Sequence, residues 1–169
     1  SMDGSLQRRD GRSGAPIGEP IAAHPGPVSA IAWSPDGSRI ATGGWDHHVR
    51  LWDATTGAAL APPLEGHTAW IAGLAWSPDG SRLVSASADR DLRQWIVATG
   101  QPAGPALAGH RNWVLAAAWS PDGRQIVSGS ADGSLRRWDT ASGNPVGEAM
   151  YGHRPWVSAV AYSPDGRHI

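Results

Sequence analysis

The sequence predicts an all-β chain built as an array of four-stranded antiparallel units. The first observation is a five-residue segment that recurs every 43 residues, at Trp33–Gly37, Trp76–Gly80, Trp119–Gly123 and, with Tyr replacing Trp, Tyr162–Gly166. A fixed period of about 40–45 residues is typical of repeated units that bury their apolar faces against one another. The second observation is the Ser-Pro-Asp-Gly chemistry of this segment, which suits a type I turn followed by a left-handed residue between two strands.

Composition narrows the possible partners. The 169 residues include ten Trp, no Phe and no Cys. A net charge of −1 and the lack of a basic run predict that nucleic acid is not a partner. The absence of Cys excludes disulfides and thiolate metal sites. Apolar runs are short and interrupted, so no membrane span or membrane partner is predicted.

The chain begins with two incomplete pieces. Residues 1–14 are polar and Gly-rich, which predicts a flexible leader. Its opening Ser1-Met2 looks like the remnant of an expression tag. Residues 15–23 align with the end of a later repeat, with Ile21 at the position of Leu64, and are predicted to be the last strand of a preceding unit.

The first complete unit covers residues 24–66. Short apolar or alternating runs separated by turn signals predict four strands, at 28–33, 39–43, 49–52 and 59–64. Pro62 and Pro63 suit the fourth strand only if it lies at an edge. Units 67–109 and 110–152 repeat this plan, and residues 153–169 are predicted to be the truncated start of a fourth unit, with 157–162 as its first strand.

Paired motifs identify the type of repeat. Gly-His pairs occur at 66–67, 109–110 and 152–153, and Trp-Asp pairs occur at 52–53 and 138–139. In these residues the chain, from about Ala15 to Ile169, resembles the WD-repeat family of β-propellers, although Ala23 precedes His24 and Ile96 follows Trp95. The resemblance implies a segment of four-stranded blades. Three complete blades do not close a ring, since propellers have about 4–8.

The resemblance also implies a buried hydrogen-bond relay of His, Ser or Thr, Asp and Trp in each blade. Such a relay ties outer strands to inner ones without leaving a polar atom unpaired. Carried over by position, the structural relay comprises His24, Thr42, Asp46 and Trp52; His67, Ser85, Asp89 and Trp95; and His110, Ser128, Asp132 and Trp138.

The same residues invite an enzymatic interpretation, which we set aside. Ser85, His67 and Asp89 have the composition of a nucleophilic triad, but the set occurs three times and Thr42 replaces Ser once. We therefore predict no enzyme, no catalytic residue and no cofactor. Asp46-His47-His48 has metal-ligand chemistry, but adjacent strand side chains point in opposite directions and the relay uses Asp46, so no metal is predicted either.

Partner-binding candidates come from the loop before each first strand and from the Asp turn, which the resemblance places together on the top face around the channel. Trp and Arg are the side chains most often energetically central in interfaces. An open alternative is that each Trp packs between blades with only its edge exposed. The candidates are Trp45, His47, Trp70, Arg90, Arg111, Trp113, Arg154 and Trp156.

The predicted function is a non-catalytic scaffold that binds a protein or peptide. Incomplete blades at both ends predict a homo-oligomer, since an open array exposes apolar faces and two chains supply eight blade positions. One alternative is a sensory or regulatory module of a larger signalling protein. A weaker alternative is small-molecule or glycan binding at the channel mouth, favoured by the Trp set.

Overall fold

The computed structural model describes residues 1–152 and 155–169, and these contain fourteen β-strands. None of the described residues forms a helix long and apolar enough to cross a membrane. The strands are β1 Ser5–Leu6, β2 Ile21–Ala22, β3 Val28–Trp33, β4 Arg39–Gly44, β5 Val49–Asp53, β6 Ile71–Trp76, β7 Arg82–Ser87, β8 Asp91–Ile96, β9 Gln101–Pro102, β10 Leu107–Ala108, β11 Val114–Trp119, β12 Gln125–Ser130, β13 Ser134–Asp139 and β14 Met150–Tyr151.

The strands form antiparallel meanders, one for each repeat. Blade 1 (residues 24–66) has the order β3-β4-β5, blade 2 (67–109) has β6-β7-β8 with both β9 and β10 on β8, and blade 3 (110–152) has β11-β12-β13-β14. Gly37 at the first turn has φ +70°, the left-handed conformation that the turn sequence predicts. The predicted all-β class with antiparallel blades is confirmed.

The fourth strand of blade 1 is shorter than predicted. In place of a continuous strand over 59–64, the structure has two isolated bridges, Trp52 to Ala59 and Val49 to Leu64. Pro62 and Pro63 lie between them and have no N–H to donate. Blades 2 and 3 have a gap at the same place, between β9 and β10 and between the Trp138–Pro145 bridge and β14.

Residues 1–14 differ from the flexible leader that their polarity predicts. β1 pairs with β2 in the register Leu6 to Ile21. Arg8 is buried, and its Nη1 donates to the carbonyl of Ala54 at 2.9 Å. Leu6 and Ile21 pack against a cluster that contains Trp52 of blade 1. This segment is therefore the third strand of a further unit, folded onto blade 1.

The polar composition of residues 1–14 does not reveal the strand, because one position departs from the repeat. Residues 3–10 have the register of 132–139, but Arg9 stands where Trp138 would be. Without the indole, the segment lacks the feature that marks the third strand elsewhere. Ser1 also fits the repeat, at the position of Ser87.

Residues 157–162 lie where the first strand of a fourth unit is predicted, but they form no ladder. Val157 is buried, and its N–H donates to the carbonyl of Ser130 at 3.0 Å. It also packs against Gly129, where an added Cβ would lie 2.6 Å from Val157 Cγ1. The segment is held on blade 3 through these contacts of Val157. The start of this unit, His153, lies outside the described residues.

Neighbouring blades are joined by the Trp of the recurring turn. Trp76 Nε1 donates to the carbonyl of Ala32 at 3.2 Å, and Trp119 Nε1 donates to that of Ala75 at 3.0 Å. These two indoles are 8% and 9% exposed, whereas Trp33, beside which the described residues place no first strand of a preceding blade, is 54% exposed. The first strand of one blade thus completes the environment of the next blade's Trp.

Candidate functional site

Each complete blade contains the four relay side chains in one connected hydrogen-bond chain. In blade 2, Trp95 Nε1 lies 2.9 Å from Ser85 Oγ, His67 Nε2 lies 2.7 Å from the same oxygen, and His67 Nδ1 lies 2.7 Å from Asp89 Oδ2. Indole N–H groups only donate, so the hydroxyl accepts from Trp95 and donates its own proton to His67. This donation requires the proton of His67 to be on Nδ1, facing Asp89.

Blades 1 and 3 have the same arrangement. Thr42 Oγ1 lies 2.9 Å from both His24 Nε2 and Trp52 Nε1. In blade 3, His110 Nε2 and Trp138 Nε1 lie 2.7 and 2.9 Å from Ser128 Oγ. Contacts to the carboxylate complete the set, at 2.8 Å between His24 and Asp46 and 3.2 Å between His110 and Asp132.

Burial of the relay makes it unsuited to chemistry on a substrate. Ser85 and Ser128 are completely buried, and each hydroxyl is already engaged by two side chains. A nucleophile needs access to its substrate. In the described part of the chain, no group of three His, Cys, Asp or Glu side chains could hold a metal ion. In the Asp46-His47-His48 turn, His48 lies 3.6 Å from Asp46. The carboxylate of Asp46 also contacts His24 and Arg50, so it is shared with two other side chains.

The meander topology determines which loops share a face. Successive antiparallel strands place the Asp turn between the second and third strands at the same end as the loop between blades. Hydrogen bonds join these two segments: Ala88 N–H donates to the carbonyl of Trp70 at 3.0 Å, and Ala131 N–H to that of Trp113 at 2.8 Å. We call this end the top face.

A row of indoles crosses the top face from blade to blade. The ring centroids of Trp45 and Trp70 are 6.4 Å apart, and those of Trp70 and Trp113 are 5.8 Å apart in an edge-to-face arrangement. Trp45 is 55% exposed and Trp113 is 44% exposed. We call these three residues the Trp row. Their rings contact one another along the surface, so much of each outer ring stays open to solvent.

The other candidates lie around the row. His47, Arg90 and Arg111 are exposed. Trp156, in the segment that follows blade 3, is also exposed. Arg154 lies outside the described residues. Thus the structure brings Trp45, Trp70 and Trp113 into ring contact. The other described candidates, His47, Arg90, Arg111 and Trp156, lie in neighbouring turns and loops.

Residues that position this face were missed by the sequence analysis. Ser87 Oγ donates to the carbonyl of Trp70 at 3.0 Å and accepts from the N–H of Asp89 at 3.1 Å. Ser130 Oγ likewise accepts from the N–H of Asp132 at 3.1 Å, and it donates to the carbonyl of Asn112, the residue before Trp113. The recurrence of Ser at the end of the second strand is the signal that could have identified them.

Replacing a relay Trp should cost far more stability than replacing a Trp of the row. Trp95 is 1% exposed and donates to Ser85, so Trp95→Ala removes a large buried ring and leaves the hydroxyl without its donor. We expect a loss of about 3–5 kcal/mol in the free energy of unfolding. Trp113→Ala is the matched control and should cost less than about 1 kcal/mol. Equal losses in urea unfolding would contradict the assignment.

Acidification should destabilise the blades through their histidines. Burial lowers the pKa of His24 and His110 below the usual 6.5, outweighing the nearby Asp46 and Asp132. A proton on Nε2 would also remove the acceptor of the hydroxyl. Because the unfolded chain binds these protons first, stability present above pH 6.5 declines as the pH falls below it.

The relay carboxylates extend the effect to lower pH. Burial opposes ionisation of Asp46, but hydrogen bonds from Arg50 and His24 outweigh it and lower the pKa to about 2. The pKa values of Asp89 and Asp132 are also about 2, so stability present above pH 3.8 is lost as the pH falls through about 2. Burial raises the pKa of Asp91. This carboxyl therefore has the opposite effect on stability, because the folded chain binds its proton more readily than the unfolded chain does. Urea midpoints at about pH 7, 5 and 3 should fall in that order; a level or rising series would refute this.

Comparison with known proteins agrees with this geometry. The family described as "WD domain, G-beta repeat" matches residues 15–53, 60–95, 104–139 and 143–169. A 35-residue stretch is 49% identical to periodic tryptophan protein 2 homolog of Schizosaccharomyces pombe, covering 21% of this chain and 4% of that protein. The chain thus matches only a small part of that relative's length. The four family matches, with the blades in which they lie, place the chain in the WD-repeat family.

Proposed function

We propose that the chain is a non-catalytic scaffold whose top face binds a protein or peptide partner. WD domains generally mediate protein–protein interactions and are generally non-catalytic. The observation that carries the proposal for this chain is the Trp row, in which Trp45 and Trp113 are 55% and 44% exposed. Exposed indoles in contact with one another form a rigid apolar surface, and Trp is enriched among the residues that dominate interface energies.

Support also comes from what holds the row in place. The carbonyls of Trp70 and Trp113 accept from the N–H groups of Ala88 and Ala131, and Ser87 fixes the carbonyl of Trp70 a second time. A partner therefore meets side chains whose backbone is already ordered, and less conformational entropy is lost on binding.

Selection of peptides from a random phage-displayed library on the immobilised chain tests this proposal. Selected peptides should bind the Trp70→Ala variant at least about tenfold more weakly, the loss typical of a central interface Trp. Ile96→Ala, which removes an exposed apolar side chain at the end of β8 away from the top face, is the control and should leave affinity unchanged. A library that yields no binder, or binders insensitive to Trp70→Ala, would exclude the top face as the site.

We further propose that the chain self-associates by covering the face of Trp33. Its counterparts Trp76 and Trp119 each donate to the carbonyl of an Ala in the preceding first strand. Ala161 has the same repeat position as those acceptors, Ala32 and Ala75, and is exposed. A second copy could therefore supply to Trp33 the carbonyl and apolar cover that the other two indoles already have. A neighbouring blade of a longer chain would make the same contact.

The mass of the 169-residue chain in solution, by light scattering behind a sizing column, tests self-association. We expect a dimer, because two copies provide eight blade positions and propellers have about 4–8 blades. Trp33→Ala should shift the mass to that of a monomer and leave the fold intact, since this ring is already 54% exposed. Trp113→Ala should leave the mass unchanged. A wild-type monomer would contradict the proposal.

A further inference from the structure

A groove recurs at the end of the blades opposite the top face, where the Ser-Pro-Asp-Gly turns of neighbouring blades meet. Between blades 2 and 3, its lining includes Asp79 and Asp122 from these turns, together with Trp119. The segment that follows the third strand of blade 3 also lines it, with Thr140 and Ala141. We call the segment after each third strand the outer loop; in blade 3 it is residues 139–143, and in blade 1 it is residues 53–57.

The equivalent groove after blade 3 lacks an outer loop. Asp122 and Asp165 line it, one repeat after the two carboxylates of the first groove. Tyr162 lines it at the repeat position of Trp119. Arg137 is also part of the lining, and no outer-loop residue is. The described residues thus leave one wall of this groove open.

The residue before the relay Trp position contacts the outer loop of the next unit. In the N-terminal segment, Arg8 Nη1 donates to the carbonyl of Ala54 in blade 1 at 2.9 Å. In blade 2, Gln94 Nε2 donates to the carbonyl of Thr140 in blade 3 at 3.4 Å. Leu51 has this position in blade 1 and lies in the same buried cluster as an outer-loop residue of blade 2. This position therefore joins each unit to the next.

Arg137 has this position in blade 3 and is partly buried. None of the ion pairs among the described residues includes its guanidinium, although Asp122 and Asp165 line the same groove. The polar side chains at this position in other units, Arg8 and Gln94, both donate to main-chain carbonyls of an outer loop. Carbonyl groups of that kind are therefore the acceptors that fit Arg137.

The N-terminal segment has an exposed outer loop of the same construction. Gly11 and Arg12 have the repeat positions of residues 140–141, and both are exposed. The N–H of Gly14 donates to the carbonyl of Asp10 at 2.8 Å, and the same bond closes the outer loop of blade 3 at 2.9 Å. The backbone of residues 10–14 is thus already in the conformation that fills the first groove.

The first residue of this loop adds a negative charge. In blade 1 the equivalent residue is Asp53, whose pKa is lowered by hydrogen bonds from Thr56 and further by the charge of Arg8. Asp10 has a lowered pKa as well, because it accepts hydrogen bonds from the N–H and hydroxyl of Ser13. A guanidinium at the position of Arg8 therefore meets carbonyls and an ionised carboxylate together.

Charges of the open groove and of this loop also match at a second point. Hydrogen bonds from hydroxyl groups of their own turns lower the pKa of Asp122 and Asp165, so both carboxylates are ionised at neutral pH. Arg12 has the repeat position of a residue that lines the first groove beside the equivalent carboxylates. Arg137 and Arg167 bring the net charge of the open groove close to zero, so the match lies in where the charges stand.

We propose that the open groove binds the outer loop of the N-terminal segment of a second copy of the chain. Arg137 donates to the carbonyls of Gly11 and Arg12, which correspond to the two carbonyls of blade 1 that accept from Arg8. The guanidinium of Arg12 then faces the two carboxylates of the groove. This inference rests on the proposed self-association, and it adds to the cover of Trp33 a second contact, made by blade 3.

The dissociation constant of the dimer, from sedimentation velocity over a dilution series, tests the contact. Arg137→Leu removes the donor but keeps a residue that blade 1 has at this position, and the constant should rise at least about tenfold. Arg137→Gln retains a donor, as Gln94 does, and should bind more tightly than Arg137→Leu. Arg39→Gln removes a cation from the groove between blades 1 and 2 and should leave the constant unchanged. Equal constants for Arg137→Leu and the wild type would overturn the inference.

Arg12→Glu tests the loop itself, with little risk to folding because Arg12 is exposed. It places a third negative charge beside Asp122 and Asp165, so the dissociation constant should rise about tenfold. An unchanged constant would overturn the assignment of this loop. A wild-type monomer would contradict the proposed self-association as well. A dimer that Trp33→Ala disrupts, but Arg137→Leu and Arg12→Glu do not, would overturn this inference alone.

Discussion

The fold depends on a single hydroxyl buried in the middle of each complete blade. Ser85 accepts from the indole of Trp95 on the third strand and donates to His67, which precedes the first strand. Satisfying a fully buried oxygen in this way requires three strands in register, so the hydrogen bonds specify the register as well as stabilise it. The carboxylate of Asp89 then fixes the tautomer of His67 and orders the turn at the top face.

Packing between blades follows from small residues on the first and second strands, Gly73 in β6 and Gly43 in β4. A Cβ added at Gly73 would lie 3.1 Å from the carbonyl oxygen of Leu115 in the next blade, and one at Gly43 would lie 2.5 Å from Ile71. These close approaches let large side chains fill the space between sheets, where the cores join blade 1 to blade 2 and blade 2 to blade 3. The relay therefore holds the strands of one blade together, and the packing holds neighbouring blades together.

Much of this organisation could be predicted from the sequence because the repeat is strict. The turn at Trp33–Gly37 marks every first hairpin, and the spacing from His67 to Ser85, Asp89 and Trp95 is repeated in all complete blades. The N-terminal strand was missed since recognition depended on the Trp that Arg9 replaces. The fourth strand of blade 1 was overextended, because an edge position for Pro62 and Pro63 does not by itself preserve a ladder. The ring contacts of the Trp row and the left-handed conformation of Arg90 depend on the spacing of blades and on backbone geometry, which no local pattern encodes.

The hydrogen bond from the indole of Trp76 to the carbonyl of Ala32 gives the array a polarity. Every blade offers a donor on one side and an acceptor on the other, so blades stack head to tail and the two ends of any stack are different surfaces. Contacts of this kind are heterologous: they end only when the curvature brings the last acceptor to the first donor, and otherwise they propagate. The curvature set by the inter-blade packing is thus what separates a closed ring from a filament.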